Sequence, residues 1–252
     1  NSVRYATDGD WGVRRRGPND SGYNGLTWDA EHDGQGKSLE LVNPWLPNQY
    51  GSNWAASRDA GGTPGKPNSV FSTSVAPLIL DVAHAPIVPR STDPVTVTAR
   101  LLDESPIPPV VSVFHRIDGT ADFNETLMWD DSQHGDGAAG DRVFGAVLPQ
   151  QARDTVVEFY IAARDAAGHR RTWPAPVQPA GTQSANCLYQ VDDSPDDATF
   201  PFYRLIYTEA ERQELVAIGN LPFYASSDAQ MNATFISREA GVTECRYTTG
   251  IR

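Results

Sequence analysis

The chain has 252 residues, with 21 glycines, 19 prolines, two methionines and a formal net charge of -12. This length allows one large domain or two ordinary ones, each with a core of its own. The glycines and prolines favour short strands joined by turns over long helices. The negative charge argues against nucleic acid or an anionic membrane as the partner, because both require clustered Lys or Arg.

Two further features concern membranes and thiols. The sequence has no run of eighteen apolar residues and no charged-then-apolar leader, so we expect no membrane span in this chain. Its two cysteines, Cys187 and Cys245, are too few for a disulfide framework. We expect two free, buried thiols, with a disulfide between them as the alternative.

Residues 1–74 form the first predicted unit and are dense in Gly, Asn, Asp and Trp. Strand patterns cover residues 25–29 and 37–42. In the second of these strands, alternation places Leu39 and Leu41 together on one face, which we expect to be the half-buried one.

The same unit allows three more predictions. The turn residues 61–67 end the unit. Arg14, Arg15 and Arg16 are expected to be a solvated strand end or loop, with contact to an acidic ligand as the alternative. A small core is expected to form around three aromatic side chains, those of Trp28, Trp45 and Trp54.

Strand patterns recur at short intervals between residues 75 and 191, the second predicted unit. The patterns cover residues 78–82, 94–101, 110–116, 143–148 and 155–165. In the last of them, alternation places Val157, Phe159, Ile161 and Ala163 on one face. Several short strands separated by turns are typical of a β-sandwich.

Residues 192–252 differ in composition and form the third predicted unit. It opens with an acidic linker at residues 192–197. Thr208 and Glu211 have the spacing of a capping box, which predicts a helix that runs to Gly219. Alternation in residues 231–236 predicts a strand after this helix.

The first unit resembles a known domain in three segments, residues 36–44, 53–57 and 61–69. They are similar to the closing strands of a lamin-tail domain, in the form found in large secreted bacterial proteins. Because closing strands here lie so near residue 1, we expect the chain to begin inside such a domain. The resemblance implies that residues 1–74 are an N-terminally truncated lamin-tail domain.

The second and third units carry resemblances as well. Residues 158–168 resemble the penultimate strand and turn of immunoglobulin-like and fibronectin-type-III modules. Residues 201–209, 228–236 and 247–252 resemble the start of the spore coat protein H (CotH) family of secreted protein kinases. Together, the three resemblances imply a mainly β chain of tandem immunoglobulin-like β-sandwich modules, with a short α+β remnant at the C-terminal end.

Catalysis by this chain is not expected. Phosphoryl transfer by a kinase requires a lysine that holds the nucleotide phosphates, and the only lysines are Lys37 and Lys66, both in the first unit. We also find no HExxH, GxxxxGK[ST], GxSxG or CxxC motif. We therefore expect no enzyme activity and assign no catalytic residues.

One loop has the composition of a calcium site. Residues 130–141 are rich in Asp and Gly, and calcium prefers six to eight oxygen ligands. The candidate ligands are Asp130, Asp131, Asp136 and Asp141. The spacing does not match an EF-hand, and the alternative is that each aspartate binds local backbone amides in Asx-turns.

The sequence therefore supports three hypotheses about function. The first is a set of non-catalytic scaffold, adhesion or docking modules, secreted or at the cell surface, with a protein or cell-surface partner. The second is an accessory region that positions substrate for a CotH-like kinase domain downstream. The third is carbohydrate binding through exposed aromatic rings, against which core packing is the ordinary role of tryptophan.

Overall fold

The computed structural model describes residues 3–195, 200–222 and 226–252. Within these ranges the chain forms antiparallel sheets and a single α-helix, so the prediction of a mainly β fold is confirmed. No helix of the described ranges is long and apolar enough to cross a bilayer.

The N-terminal segment contains two small two-stranded sheets. Strand β1 (Val13–Arg16) pairs with β2 (Leu26–Asp29), and β3 (Leu39–Leu41) pairs with β4 (Trp54–Ala56). Single 3-10 turns at Gly9–Trp11 and Gly51–Asn53 precede β1 and β4. Both strands predicted in this segment are present, although each is shorter than the sequence pattern.

Burial in β3 agrees with the predicted alternation and adds a buried carboxylate on the opposite face. Leu39 and Leu41 do share a face and are half-buried, but the more deeply buried residue is Glu40, which is 4% exposed. Its carboxylate accepts hydrogen bonds from the hydroxyl of Thr63 (2.5 Å) and from the backbone N–H and hydroxyl of Ser69 (both 2.7 Å). The turn-rich stretch that follows β4 therefore folds over the face on which the glutamate lies.

Two other predictions for this segment are wrong in part. Trp28 and Trp54 are half-buried, but Trp45 is 65% exposed and contacts Phe71 at the surface. Arg14 is not solvated, since only 4% of it is exposed. Its register opposite Trp28 in the β1–β2 ladder turns it inward.

Residues 78–190 form a β-sandwich of two antiparallel sheets. Strands β5 (Leu78–Ala85), β6 (Val95–Leu102) and β9 (Val143–Leu148) form one sheet in the order β5-β6-β9. The other sheet has the order β11-β10-β7-β8, with a further strand, β12, beside β10. Its strands are β7 (Val110–Ile117), β8 (Asn124–Met128), β10 (Val156–Arg164), β11 (Arg170–Trp173) and β12 (Cys187–Gln190).

The sandwich core confirms the alternation read from the sequence. The inward face of β10 carries Val157, Phe159, Ile161 and Ala163, none more than 1% exposed. They pack against apolar residues of the opposite sheet, including Val97 and Leu148. Strands β11 and β12 pair with different halves of β10, and residues 174–186 between them leave the sheet.

The C-terminal segment is a three-stranded sheet with one helix. Strands β13 (Phe202–Ile206), β14 (Met231–Glu239) and β15 (Val242–Ile251) pair in chain order, and α1 (Glu209–Gly219) follows β13. The capping box of Thr208 and Glu211 is formed, and the predicted strand is present as part of β14. Of the predicted acidic linker, Asp196 and Asp197 lie outside the described residues.

Contacts cross both predicted unit boundaries. Leu46 packs against Leu78 and Leu80 of β5, and Leu188 of β12 packs against Ile206 and Ile236. These small apolar clusters tie the N-terminal and C-terminal segments to opposite parts of the sandwich. The boundaries at residues 74/75 and 191/192 remain predictions.

Candidate functional site

The aspartate-rich loop lies between β8 and β9, and its carboxylates bind backbone amides. Asp130 accepts from the N–H groups of Gly140 (2.6 Å) and Arg142 (3.0 Å). Asp141 accepts from the N–H groups of Ala138 (3.1 Å) and Val143 (2.9 Å). These two aspartates therefore close the second half of the loop.

Asp136 holds the first half of the loop. It is 2% exposed and accepts from the N–H groups of Asp131 (2.6 Å), Ser132 (2.8 Å) and His134 (3.0 Å). Burial by itself raises the pKa of Asp136, but the backbone N–H groups outweigh it, so the pKa lies below the usual value. The imidazole of His134 bonds to Asp131 (2.9 Å) and lowers the pKa of that carboxyl group.

The four predicted calcium ligands therefore lie in one loop but serve different sets of amides. Among the residues that the structure describes, no group of three or more His, Cys, Asp or Glu side chains is arranged to hold a metal ion. The geometry matches the Asx-turn alternative. Calcium binding by Asp130, Asp131, Asp136 and Asp141 remains a prediction that calcium titration must test.

A cleft of about 900 Å³ lies between the N-terminal segment and β11 of the sandwich. Its walls include four of the six tryptophans of the chain, Trp11, Trp28, Trp54 and Trp173, each half-buried. The rings of Trp11 and Trp54 have centroids 6.3 Å apart and planes inclined by 34°. The volume is within the range of roughly 300–1,000 Å³ found for small-molecule sites.

Three arginines also line the cleft. Arg14 donates from Nη1 to the carbonyl oxygen of Thr248 (3.1 Å), and its guanidinium lies 4.7 Å from the ring centroid of Trp28. Arg171 donates from Nη2 to the carbonyl oxygen of Ala76 (3.4 Å), and Arg170 is exposed. Burial lowers the pKa of Arg14 to about 10 and lowers that of Arg171, so both remain charged at neutral pH.

These arginines lack close counter-ions. Within the described part of the chain, the three arginines make no ion pair, and the Nε atoms of Arg14 and Arg171 have no hydrogen-bond acceptor. Two of the acidic groups in the walls are already paired with cations outside the cleft. Asp29 pairs with Arg15 (2.6 Å), and Glu31 pairs with Lys37.

Asp10 is the third acidic group of the cleft. Its Oδ1 accepts from the indole Nε1 of Trp173 (3.1 Å). Solvent reaches Asp10, but the protein walls around it reduce its hydration and raise its pKa, and Arg171 partly opposes that change. The walls hold three arginines and three acidic groups, but Asp29 and Glu31 are paired with Arg15 and Lys37, so Asp10 is the one described wall acid left to offset the arginines.

A third cluster of polar groups is buried between the sandwich and β15. His84 is 3% exposed; its Nε2 lies 3.0 Å from the carbonyl oxygen of Ile87, and its Nδ1 lies 2.5 Å from the hydroxyl of Tyr247. Because a carbonyl only accepts, Nε2 carries the proton and Nδ1 accepts from Tyr247. Cys187 and Cys245 are free thiols near this cluster, and burial raises the pKa of both.

Comparison with models of known protein families finds no match for this chain, and no curated protein matches it. The similarities to lamin-tail, immunoglobulin-like and CotH domains therefore remain resemblances carried by the quoted residues.

The cleft is the feature that the sequence did not predict. Its residues come from positions 9–14, 28–32, 52–56 and 170–176, with Thr248 from β15. The one local signal was Arg14 itself, an arginine in a strand with a tryptophan nearby in the sequence. The β1–β2 register that brings Arg14 opposite Trp28 cannot be read from composition.

Proposed function

We propose that this chain is a non-catalytic scaffold and docking region of a secreted or cell-surface bacterial protein. The observation that carries the proposal is the set of buried contacts between the sandwich and its two flanking segments. A scaffold has to hold its parts in fixed positions, and buried polar contacts are well suited to this because each broken one leaves an unsatisfied group.

The C-terminal contacts form a chain of buried polar groups. Arg116 makes a two-point ion pair with Glu158 (2.9 and 3.2 Å). Glu158 accepts from the side chain of Asn186 (2.9 Å), and the backbone carbonyl oxygen of Asn186 accepts from the side chain of Asn232 (2.9 Å). Asn186 and Asn232 are 0% and 1% exposed, so this network joins β7 and β10 to β14 inside the protein.

The N-terminal contacts are made largely through the backbone. Gln178, in the excursion between β11 and β12, exchanges hydrogen bonds with Arg14 (2.8 Å) and Arg16 (3.2 Å) of β1. The N–H of Leu26 donates to the carbonyl oxygen of Gln230 (2.7 Å). The N-terminal segment is thus bonded to both the sandwich and the C-terminal segment.

Calorimetry and a phosphoryl-transfer assay test the proposal. We expect one cooperative unfolding transition for the 252-residue chain, because the three segments share buried contacts. With Mg²⁺ and labelled ATP, we expect no transfer to the chain or to a generic protein substrate. Separate transitions for the segments would contradict the scaffold role, and ATP turnover would contradict its non-catalytic character.

The packing of β13 and β14 on the sandwich favours one second candidate, a region that positions substrate for a CotH-like kinase domain. Leu188 contacts Ile206 and Ile236, so the sandwich would set the orientation of the segment that resembles the kinase start. The test is a longer reading frame with and without residues 75–191. Kinase activity that does not depend on those residues would contradict this role.

A further inference from the structure

The tryptophan-lined cleft combines apolar walls with three arginines that form no ion pair among the described residues, although Glu211 and Asp10 act electrostatically on Arg14 and Arg171. Arg14 and Arg171 are held by single carbonyl oxygens, and Arg170 is exposed in the wall. Burying a guanidinium without a carboxylate partner destabilises a folded protein. A cleft that keeps this arrangement is matched in charge to an anionic ligand.

The aromatic walls specify the rest of the ligand. The rings of Trp11 and Trp54, with centroids 6.3 Å apart, contact each other and leave no slot into which a flat ring such as a nucleobase could insert. Together they form one apolar surface, which suits the C–H face of a bulky, non-planar ring. Ser52 and Thr248, which also line the cleft, are polar neighbours for hydroxyl groups on such a ring.

The numbers of arginines and acidic groups in the cleft walls indicate how much negative charge a ligand would carry. Three arginines face one acidic group that is not paired with a cation, Asp10, which also offsets Arg171 electrostatically. No lysine lines the cleft among the described residues. This charge fits one carboxylate per ligand ring better than a nucleoside polyphosphate.

We infer that the cleft binds an acidic saccharide of the uronic-acid class, with its sugar ring against the tryptophans and its carboxylate toward Arg170 and Arg171. This ligand goes beyond the scaffold role, which does not require it. The wild-type chain and four variants, titrated calorimetrically at low salt, test the inference. The probes are a galacturonic acid trisaccharide and the neutral trisaccharide maltotriose.

Two variants change the cleft and two are matched controls outside it. Arg170→Gln removes an exposed charge and Trp11→Ala removes one aromatic wall, while Arg153→Gln and Trp45→Ala change an exposed arginine and an exposed tryptophan elsewhere. Thermal melting of each variant establishes that it is folded. Because Arg170 is exposed, its replacement is expected to leave the fold intact.

We expect the acidic trisaccharide to bind and maltotriose not to bind. Arg170→Gln and Trp11→Ala should each weaken binding roughly tenfold, the usual effect of losing a charged hydrogen bond or an aromatic contact, and both controls should bind like the wild type. If the folded wild type fails to bind the acidic trisaccharide, or binds both sugars equally, the inference is wrong. It is also wrong if AMP or an acidic peptide binds at the cleft and the acidic trisaccharide does not compete. In each of these cases the scaffold proposal stands, because its tests do not involve the cleft.

Discussion

Buried polar side chains make the stability of this protein depend on pH and on the identity of single residues. His84 and Glu40 are both almost fully buried, at 3% and 4% exposure. His84 is kept neutral because burial disfavours its charged form, although its hydrogen bond to the carbonyl oxygen of Ile87 acts in the opposite direction, whereas Glu40 is kept charged by the donors that surround it. Their effects on stability can therefore be separated.

The first prediction concerns His84, whose pKa burial lowers to about 4. The unfolded chain binds the proton below about pH 6.5 while the folded chain does not, so this stabilisation is complete above that pH and is lost as the pH falls toward 4. We expect His84→Gln to remove about 3 kcal/mol of pH-dependent stability across this window. Urea unfolding of both proteins from pH 4 to 7 measures it.

The difference in unfolding free energy between the wild type and His84→Gln isolates the contribution of His84 from that of groups with the opposite pH dependence. Glu211, whose pKa burial raises to about 7, destabilises both proteins as the pH rises from 4.5 to 7. An NMR titration gives a second measurement that does not need the variant. A His84 ring that titrates near pH 6.5 in the folded protein would refute the prediction.

A second prediction concerns Glu40. Hydrogen bonds from Thr63 and Ser69 hold the pKa of its carboxyl at about 2, against the effect of burial. Glu40→Gln replaces an acceptor oxygen by an NH₂ group facing these donors, and we expect the melting temperature at pH 7 to fall by roughly 5 °C. Glu244→Gln, at an exposed position of β15, is the control and should melt within 1 °C of wild type, at about the precision of the measurement.

At the scale of strands and helices, local sequence patterns predicted some features of the fold, whereas other features depend on contacts between residues distant in the chain. Alternation of apolar residues predicted β10 and its buried face, and the spacing of Thr208 and Glu211 predicted α1. Arg14 was misjudged and the burial of Glu40 was not predicted, because both depend on partners distant in the chain, Thr248 and Ser69. The cleft could not be predicted, since it requires the packing of the N-terminal segment against β11.

The aspartate-rich loop gives the third prediction. Asp136→Ala leaves three backbone N–H groups without their acceptor, so we expect the melting temperature to fall by several degrees. If the carboxylate of Asp136 binds only these amides and no ion, the fall in melting temperature is equal in millimolar calcium and in EGTA. Calcium that raises the melting temperature of the wild type but not of Asp136→Ala would instead show that the loop binds the ion.

The fourth prediction concerns the contact between β12 and β14. The N–H of Leu188 donates to Oγ1 of Thr234 (3.0 Å), which is 0% exposed. Thr234→Val preserves the shape but leaves this N–H unsatisfied, and we expect a loss of roughly 1–3 kcal/mol in urea unfolding, with one transition retained. Thr27→Val, at an exposed position of β2, should change stability little. A second transition that appears only in Thr234→Val would show that the C-terminal segment unfolds independently.

At the scale of the whole molecule, two flanking segments are held against one sandwich. The apolar clusters that contain Leu46 and Leu188, together with the hydrogen-bond network through Asn186, hold the flanking segments against the sandwich. They predict that residues 1–74, separated from the sandwich, lose the partners of Leu26 and Leu46 and become unstable or aggregate. The cleft between β2 and β11 is one of the surfaces that this arrangement creates.

Residual dipolar couplings of the deuterated, aligned 252-residue chain test this account most directly. Amide couplings are measured for three groups, namely residues 13–56, residues 78–190, and residues 202–222 with 226–251, and are fitted to the structure. We predict that one alignment tensor fits all three groups, because buried contacts hold the segments in fixed orientations. Three different tensors, each fitting only its own segment, would contradict the claim that the chain is a rigid scaffold.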